Sequence, residues 1–308
     1  MSYGGPETVL EAVKHDGFGA VEFDMGAQDF DDVRHRFQTV IDDAAGPGGQ
    51  KIIDALTFQL EDRPDDGDYY LHKRVPGDTH PMHTDRAPGT EHKYTLHYGP
   101  LSVAYARRVF GRAVPRSLGL LFASCGEIHE HTKQAVRPIY EKLGIAGVML
   151  AENPADDVHI VRLLKYLHTD EAKLKAALHF DRSVATVAVS ESKEGLIGAK
   201  GQNRNVTAQE LDEAASNAYN NPLVHYENEA KFFFGAGYNN LPRKFRNPNL
   251  PLLLHGVNNL EPDQERDAVV VFMNPRRGFT HIVPGQEQTG FVEVRAHILR
   301  HMPPYSDD

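Results

Sequence analysis

The feature that most constrains the fold of this chain is a change in its hydrophobic pattern near the midpoint. Before about residue 155, apolar residues recur at intervals of three and four, which is typical of amphipathic helices. Beyond it the chain breaks into short β-branched and aromatic runs with Gly and Asn clustered between them. Several short strands separated by turn residues are typical of a sandwich or jelly roll. The runs are Val158–Tyr166, Ser183–Val189, Lys231–Phe234, Leu252–Val257 and Ala268–Met273.

The first half is predicted to be mainly helical, with one long irregular segment. Residues 63–100 are rich in Pro, Gly, Asp and His and show no periodicity, so we expect irregular structure there. The predicted fold class is therefore α+β, with an N-terminal region over residues 1–155 and a β core over residues 156–308. The predicted helices cover residues 6–15, 29–44 and 115–143, and a strand is predicted at residues 20–23.

Charge and cysteine content narrow the classes of function. The 308-residue chain has a formal net charge of −10, and its Lys and Arg residues form no basic stripe, so we expect neither nucleic acid nor an anionic membrane as a partner. No apolar run approaches the ~18 residues that cross a bilayer. Cys125 is the only cysteine, which excludes an internal disulfide and fits a cytoplasmic protein. Its place on a helical apolar stripe indicates a buried thiol.

The motif His-x-Asp occurs three times, at residues 83–85, 168–170 and 179–181. On a strand, residues i and i+2 point to the same face, so a histidine and a carboxylate with this spacing can reach one metal ion. Three residues alone are a weak signal. The surrounding sequence therefore has to separate the candidates.

The first two pairs have simpler interpretations. The first lies in the irregular segment, where the small cluster of His80, His83 and Asp85 is most simply a solvated loop. The second precedes residues 171–177, a run of strong helix formers, so Asp170 fits a helix N-cap.

The third pair, His179 and Asp181, opens a run of strand composition, so we expect both side chains on one face. A second histidine would complete the two-histidine, one-carboxylate set that is diagnostic of non-haem Fe(II) oxygenases. His255 follows the apolar run 251–254, where a single histidine is more often structural. Arg266 follows it by eleven residues and can present a planar fork to a carboxylate.

Four segments, in order, resemble the isopenicillin N synthase-like branch of the Fe(II)/2-oxoglutarate dioxygenases. They span roughly residues 158–275. The segment Val161–Tyr166 resembles the family strand RLLHY, and the residues from His179 to Leu196 resemble HTDYGLLTLL…GGL. Likewise His255–Val257 resembles HRV, and Arg266–Phe272 resembles RYSVPFF.

This resemblance implies a double-stranded β-helix core (jelly-roll, cupin-like) with the helical N-terminal region packed on it. It implies Fe(II) held by His179, Asp181 and His255, and 2-oxoglutarate held by Arg266. It also implies that Tyr166 donates a hydrogen bond to the same carboxylate, although a half-buried strand tyrosine is an equally good interpretation of that residue. The implied activity is oxidation of a C–H bond with O2, most often hydroxylation, with desaturation or ring closure as other outcomes.

The chain departs from the family pattern at three places. The family's Arg-x-Ser is Arg266-Asp267-Ala268 here, so the hydroxyl that helps to hold the carboxylate is missing. The Gly-Asp pair before the distal histidine strand is Gly235-Ala236-Gly237, and no NxYPP turn follows Tyr166.

The substrate and two competing classes of protein stay open at this point. Polar residues in segments 63–100 and 217–246 suggest a polar or carboxylate-bearing small molecule, such as an amino-acid derivative or a secondary metabolite. One alternative is a ferrous oxidase that does not use 2-oxoglutarate, with a substrate carboxylate on Arg266. The other is a non-catalytic β-helix protein that binds a metal or a small molecule.

Overall fold

The computed structural model describes residues 5–53, 55, 71–74, 93–167, 176–181, 183–201, 223, 228–239, 241–257, 265–282 and 291–293. Its α-helices include α1 (Pro6–Asp16), α2 (Ala27–Ala45), α3 (Ser102–Phe110), α4 (Arg116–Lys142), α5 (Ala146–Met149) and α6 (Ala236–Asn239). Short 3-10 helices lie at Pro154–Asp156 and Arg243–Phe245.

The strands alternate with these helices and continue to the C-terminal region. In chain order they are β1 (Phe18–Glu22), β2 (Leu71–Arg74), β3 (Lys93–Tyr98), β4 (Ile160–Tyr166), β5 (Ala176–His179), β6 (Ala185–Glu191), β7 (Leu196–Gly201), β8 (Glu229–Phe234), β9 (Leu252–Val257), β10 (Arg266–Met273), β11 (Thr280–Ile282) and β12 (Phe291–Glu293).

The strands form a large sheet and a smaller sheet that face each other. The large sheet has the order β1-β8-β6-β10-β4-β3-β2, and the smaller one has the order β5-β9-β7, with every pair antiparallel. A separate pair joins β11 and β12. Side chains of the two sheets meet between them, where Val257 of β9 packs with Tyr166 and Ala268 of the large sheet. This α+β arrangement is the one that the sequence predicted.

The helices cover the outer face of the large sheet and form the main core with it. The predicted apolar stripe of α2, which includes Phe30, Val33 and Phe37, is buried there. The long helix α4 buries its own stripe against the same sheet. Cys125 lies on that stripe and is fully buried, as predicted, and burial raises the pKa of its thiol.

Two local predictions from sequence were wrong. The segment 63–100 was expected to be irregular, but it contributes β2 and β3 to the large sheet. Ala176 and Ala177 were expected in a helix, but they belong to β5. In both places a neighbouring strand supplies hydrogen-bond partners that local sequence does not reveal, so tertiary pairing outweighs propensity. The rest of the run 171–177 lies outside the described residues.

The N-terminal region also contributes to the large sheet. Strand β1 pairs with β8, and β3 pairs with β4, so strands from both sides of residue 155 share one sheet. A boundary near residue 155 stays a prediction. In the described part of the chain, no helix is both long and apolar enough to span a bilayer.

Two glycine substitutions test this packing. In Gly19→Ala, the new Cβ would lie 2.7 Å from Val9 Cγ1 and from Val9 O, so β1 and α1 must separate. We expect a loss of about 1–3 kcal/mol in the free energy of unfolding, the usual cost of overpacking. Gly119 lies on the exposed face of α4 with no heavy atom within 4 Å of an added Cβ. Gly119→Ala should therefore gain up to about 1 kcal/mol. Denaturant unfolding of both variants checks this, and equal effects would contradict the packing of β1 on α1.

Candidate metal centre

Two of the predicted ligands are neighbours across the smaller sheet. His179 is the last residue of β5, and its register partner in β9 is His255. Side chains of directly opposed residues in an antiparallel pair lie on the same face. Their ring centroids are accordingly 4.5 Å apart.

Asp181 reaches these histidines from outside any strand. It lies where the chain crosses from β5 in the smaller sheet to β6 in the large one. Its Oδ1 is 3.5 Å from His179 Nε2, and its Oδ2 is 3.4 Å from His255 Nε2. The expectation that His179 and Asp181 share the face of one strand was wrong. The crossing between sheets, and not the two-residue period of a strand, brings them together.

The geometry of the three side chains fits one metal ion. One ligand atom from each residue lies within 4.8 Å of the other two. Ligands about 2.1 Å from a metal and at right angles to each other are roughly 3 Å apart, close to the spacing here. The side chains of Asp181 and His255 are 7% and 9% exposed, whereas that of His179 is 34% exposed. The centre is therefore closed on one side and open on the side of His179.

Neighbouring groups orient two of the three ligands. His255 Nδ1 lies 3.3 Å from Leu253 O, which can only accept, so Nδ1 carries the proton and Nε2 is free to bind a metal. Thr186 Oγ1 donates to Asp181 Oδ2 at 2.6 Å, and Ser183 Oγ lies 3.0 Å from Thr186 Oγ1. Such partners around a metal site fix the direction and basicity of its ligands.

The protonation states of Asp181 and His255 both favour metal binding. Burial alone would raise the pKa of Asp181, but His255, His179 and the Thr186 hydroxyl outweigh it and hold the pKa well below its usual range. Burial lowers the pKa of His255 to about 4, against the opposing attraction of Asp181. At neutral pH the centre thus presents an ionised carboxylate and a neutral imidazole, the forms that bind metal.

The backbone around Asp181 explains a glycine that follows β8. The amide of Ala236 donates to Asp181 O at 2.6 Å, and that of Gly237 donates to Ser183 O at 3.1 Å. A Cβ on Gly235 would lie 2.5 Å from Asp181 O. The glycine at the place of the family's Gly-Asp pair therefore lets this turn approach the backbone of Asp181 closely.

Arg266 and Tyr166, the two predicted co-substrate residues, are register partners at the ends of β10 and β4. The guanidinium carbon lies 5.4 Å from the centre of the Tyr166 ring. An added Cβ on Gly195 would lie 3.2 Å from Arg266 Nε and 3.5 Å from Val257 Cγ1, so the guanidinium of Arg266 lies near the side chain of Val257. Val257 is two residues from His255 in β9, which is a distance of roughly 7 Å along the strand.

Sequence reasoning missed the partner of this arginine, Glu191. Arg266 Nη2 and Nε both donate to Glu191 Oε2, the Nε bond at 3.1 Å, and both side chains are 3% exposed. Arg266 Nη1 is buried and has no hydrogen-bond partner in the described part of the chain. An orphaned guanidinium donor in an interior is costly, so it fits a further anion such as a carboxylate of 2-oxoglutarate.

A β-bulge turns Glu191 inwards. Between β6 and β10 the register shifts from Val270 opposite Ala188 to Val269 opposite Ser190. The extra residue reverses the alternation of inward and outward side chains on β6. Glu191 therefore stands opposite Ala268, which faces the interior. Nothing in the local sequence announces this bulge.

Further polar residues that the sequence analysis did not assign line the inner face of the large sheet. Lys231 in β8 is buried, donates to Glu229, and has its pKa lowered by burial to about 8. Arg162 in β4 is half-buried, donates to His97 Nε2, and lies 4.4 Å from the centre of the Phe272 ring. Buried charges are costly unless they are paired, so this many charged side chains between the two sheets suit the binding of a polar molecule there.

The other two His-x-Asp pairs, at residues 83–85 and 168–170, lie outside the described residues, as does His80. Among the residues that the structure describes, His179, Asp181 and His255 form the one cluster of three or more potential ligands.

Comparison of structures relates the chain to solved oxygenases. A protein of the 2OG-Fe(II) oxygenase family from Caulobacter crescentus has a TM-score of 0.61 at 12% identity, covering 96% of this chain and 92% of that one. A full-length Neurospora crassa protein, solved with alpha-KG and thymine, has a TM-score of 0.58 at 15% identity over 96% and 89% of the chains. Dioxygenase for auxin oxidation 1 from Arabidopsis thaliana, solved with 2-oxoglutarate, has a TM-score of 0.53 at 15% identity over 88% and 87%.

No protein-family model and no curated protein matches the chain. At these identities the structural likeness establishes the fold. The chain has the double-stranded β-helix fold of the 2OG-Fe(II) oxygenases, and both the predicted fold class and the resemblance at that level are confirmed.

Iron content distinguishes the candidate metal sites. Asp181→Ala removes the only carboxylate of the cluster and leaves two histidines, so we expect purified protein to lose its bound Fe(II). Asp85→Ala and Asp170→Ala change the competing motifs and should retain iron like the wild type. Metal analysis after anaerobic loading with Fe(II) measures the ratio of iron to protein. Loss of iron in the Asp85 variant with retention in the Asp181 variant would move the site to the His80/His83/Asp85 cluster.

Proposed function

We propose that this chain is an Fe(II)- and 2-oxoglutarate-dependent oxygenase that oxidises a C–H bond of a polar small molecule, foremost by hydroxylation. The observation that carries the proposal is the convergence of His179, Asp181 and His255 on one point, inside a fold shared with solved 2OG-Fe(II) oxygenases. Two histidines and one carboxylate on one face of a metal leave other positions open for exchangeable ligands.

The chain's own residues hold and shield this centre. Bound iron supplies the activation of O2 that C–H oxidation requires. Thr186 fixes the Asp181 carboxylate, and the Leu253 carbonyl fixes the ring of His255. The ring of Phe233 lies 4.8 Å from that of His255 and covers its buried side. These contacts leave the half-exposed side of His179 as the approach to the centre.

Arg266 and Tyr166 are the residues that would bind the far carboxylate of 2-oxoglutarate. In support of this, Arg266 Nη1 is a buried donor that lacks a partner among the described residues, and Tyr166 lies against the same guanidinium. The separation of about 7 Å from the level of His255 suits a five-carbon diacid whose keto acid end reaches the metal.

One observation favours a second candidate, a ferrous oxidase without 2-oxoglutarate. Arg266 already has a carboxylate partner in Glu191, and such a pair needs no co-substrate to neutralise the arginine. Formation of succinate from 2-oxoglutarate, measured with and without Fe(II), separates the two. Iron-dependent succinate supports the proposal. Substrate oxidation without succinate favours the oxidase, and neither activity favours a non-catalytic binding protein.

The substrate is proposed to carry an anionic group that docks on Arg162. This guanidinium is stacked on Phe272 and bonded to His97, and it has no carboxylate partner among the described residues. Phe272 is the register partner of Thr186, whose hydroxyl binds Asp181. An anion on Arg162 would therefore lie beside the metal centre. The position of Arg162 is therefore a structural reason to propose a carboxylate-bearing small molecule as the substrate.

Arg266→Lys tests the co-substrate residue. Lysine keeps the positive charge against buried Glu191, so the fold should survive, but it lacks the planar fork. We expect the affinity for 2-oxoglutarate to fall about ten- to hundredfold, the worth of a hydrogen bond to a charged group. Iron content should not change. Calorimetric titration of the anaerobic Fe(II) protein measures this, and an unchanged dissociation constant would show that another residue binds the carboxylate.

Arg162→Met tests the substrate anchor, with Lys165→Met as its control. Lys165 is a cation of the same strand, bound to Glu265 at 2.7 Å and away from the metal centre. In a screen of acids and their neutral amides scored by succinate release, the wild type should prefer acids. Arg162→Met should lose about ten- to hundredfold in kcat/KM for acids and little for amides, while Lys165→Met behaves as wild type. Equal losses for acids and amides would contradict the anchor.

A further inference from the structure

The pairing of Arg266 with Glu191 raises a problem for any oxygenase that must bind a diacid here. The Nε and Nη2 donors of the fork point at one oxygen of Glu191, and Nε also donates to Lys193 O at 3.1 Å. One carboxylate already balances the buried guanidinium. A second, from 2-oxoglutarate, would place two like charges within a few ångströms in a low-dielectric interior, where they cannot both stay ionised at low cost.

Glu191 cannot easily leave this position. It belongs to β6, and its register partner in the neighbouring strand β10 is Ala268. The bulge fixes its inward direction, and the amide of Leu196 holds its carboxylate. Protonation in place is therefore the simpler response to a second carboxylate, because a protonated glutamic acid becomes an O–H donor.

The position of Glu191 gives that O–H a role. The family pattern has a serine two residues after the arginine, and this chain has Ala268 there. Glu191 is the register partner of Ala268, so its carboxyl group stands beside the place where the hydroxyl is missing. A protonated Glu191 would supply the donor that Ala268 lacks.

We propose that Glu191 is a proton-dependent co-substrate residue: its carboxylate occupies the Arg266 fork in the free protein, and it takes up one proton when 2-oxoglutarate binds, donating that proton's hydrogen bond to the ligand carboxylate. The inference rests on the proposed function. No bond other than O–H changes, and the proton comes from solvent.

The groups around Glu191 favour proton uptake by its carboxylate. Burial raises the pKa of Glu191 despite the opposing charge of Arg266. Glu194 in the following turn also raises it. Lys231 of β8 is close enough for the charge of Glu191 to raise its pKa, and it donates a hydrogen bond to Glu229. If Glu191 is ionised in the free protein and protonated in the complex, the affinity for 2-oxoglutarate falls as the pH rises. For one proton, the fall is about tenfold per pH unit.

Calorimetric titration of 2-oxoglutarate into the anaerobic Fe(II) protein tests the proposal. Buffers with different ionisation heats give the number of protons taken up, between about pH 6 and pH 8. For the wild type we expect uptake of about one proton and an affinity that falls with pH. Glu191→Gln, which keeps the shape and an N–H donor, should take up about one proton fewer, lose that part of the pH dependence, and bind more tightly than wild type at pH 8.

Glu194→Gln is the matched control, because it removes an exposed charge of the same turn but leaves the Glu191 carboxyl in place. Since Glu194 raises the pKa of Glu191, this variant should still take up about one proton, over a slightly lower pH range than the wild type. Burial lowers the pKa of Lys231 to about 8, so this lysine also titrates near the upper end of the pH range. The role of Glu191 is therefore tested by the difference in proton uptake between wild type and Glu191→Gln. No proton uptake by the wild type, or equal uptake by Glu191→Gln, would overturn the role of Glu191. Absence of 2-oxoglutarate binding by every form at every pH would instead overturn the proposed function, and the inference with it.

Discussion

The structure depends on one buried carboxylate held between two sheets. Asp181 lies in the crossing from β5 to β6, within 3.5 Å of His179 in the smaller sheet and 3.4 Å of His255 beside it. A buried charge of this kind is costly unless it is paired and hydrogen-bonded. Thr186 and the turn after β8 supply those bonds, and a cation between the three side chains would complete them. The facing sheets, the crossing and the close turn at Gly235 all serve to place this group.

The same interior holds several further charges, and they are arranged in pairs. Arg266 faces Glu191, and Lys231 faces Glu229, on the inner side of a sheet whose outer side is packed with apolar residues against the helices. Burying these charges costs free energy, because each charged group loses its hydration. Their retention is understandable if the space between the sheets binds charged molecules, and Arg162, which has no acidic partner in the described part of the chain, points to the same conclusion.

Much of the site could be predicted from sequence, although for a reason that was partly wrong. His179, Asp181 and His255 were chosen by strand composition and by the resemblance to a family, and the structure brings them together. The assumed mechanism, one shared strand face, fails because the chain changes sheets between His179 and the start of β6. Helices α1, α2 and α4 were predictable because their apolar periodicity is local. The strands of segment 63–100 were not, because their pairing partners are distant in sequence. Glu191 was invisible, since a bulge decides which way it points.

We propose that one Fe(II) ion, held by His179, Asp181 and His255, binds the keto acid end of 2-oxoglutarate. Titration of 2-oxoglutarate into the wild-type Fe(II) protein without oxygen, followed by visible absorption, tests it directly. We expect a metal-to-ligand charge-transfer band that grows to saturation at one equivalent of bound ligand, and that does not form when Zn(II) replaces Fe(II). No band at any concentration of 2-oxoglutarate, in protein that has bound its iron, would contradict the claim.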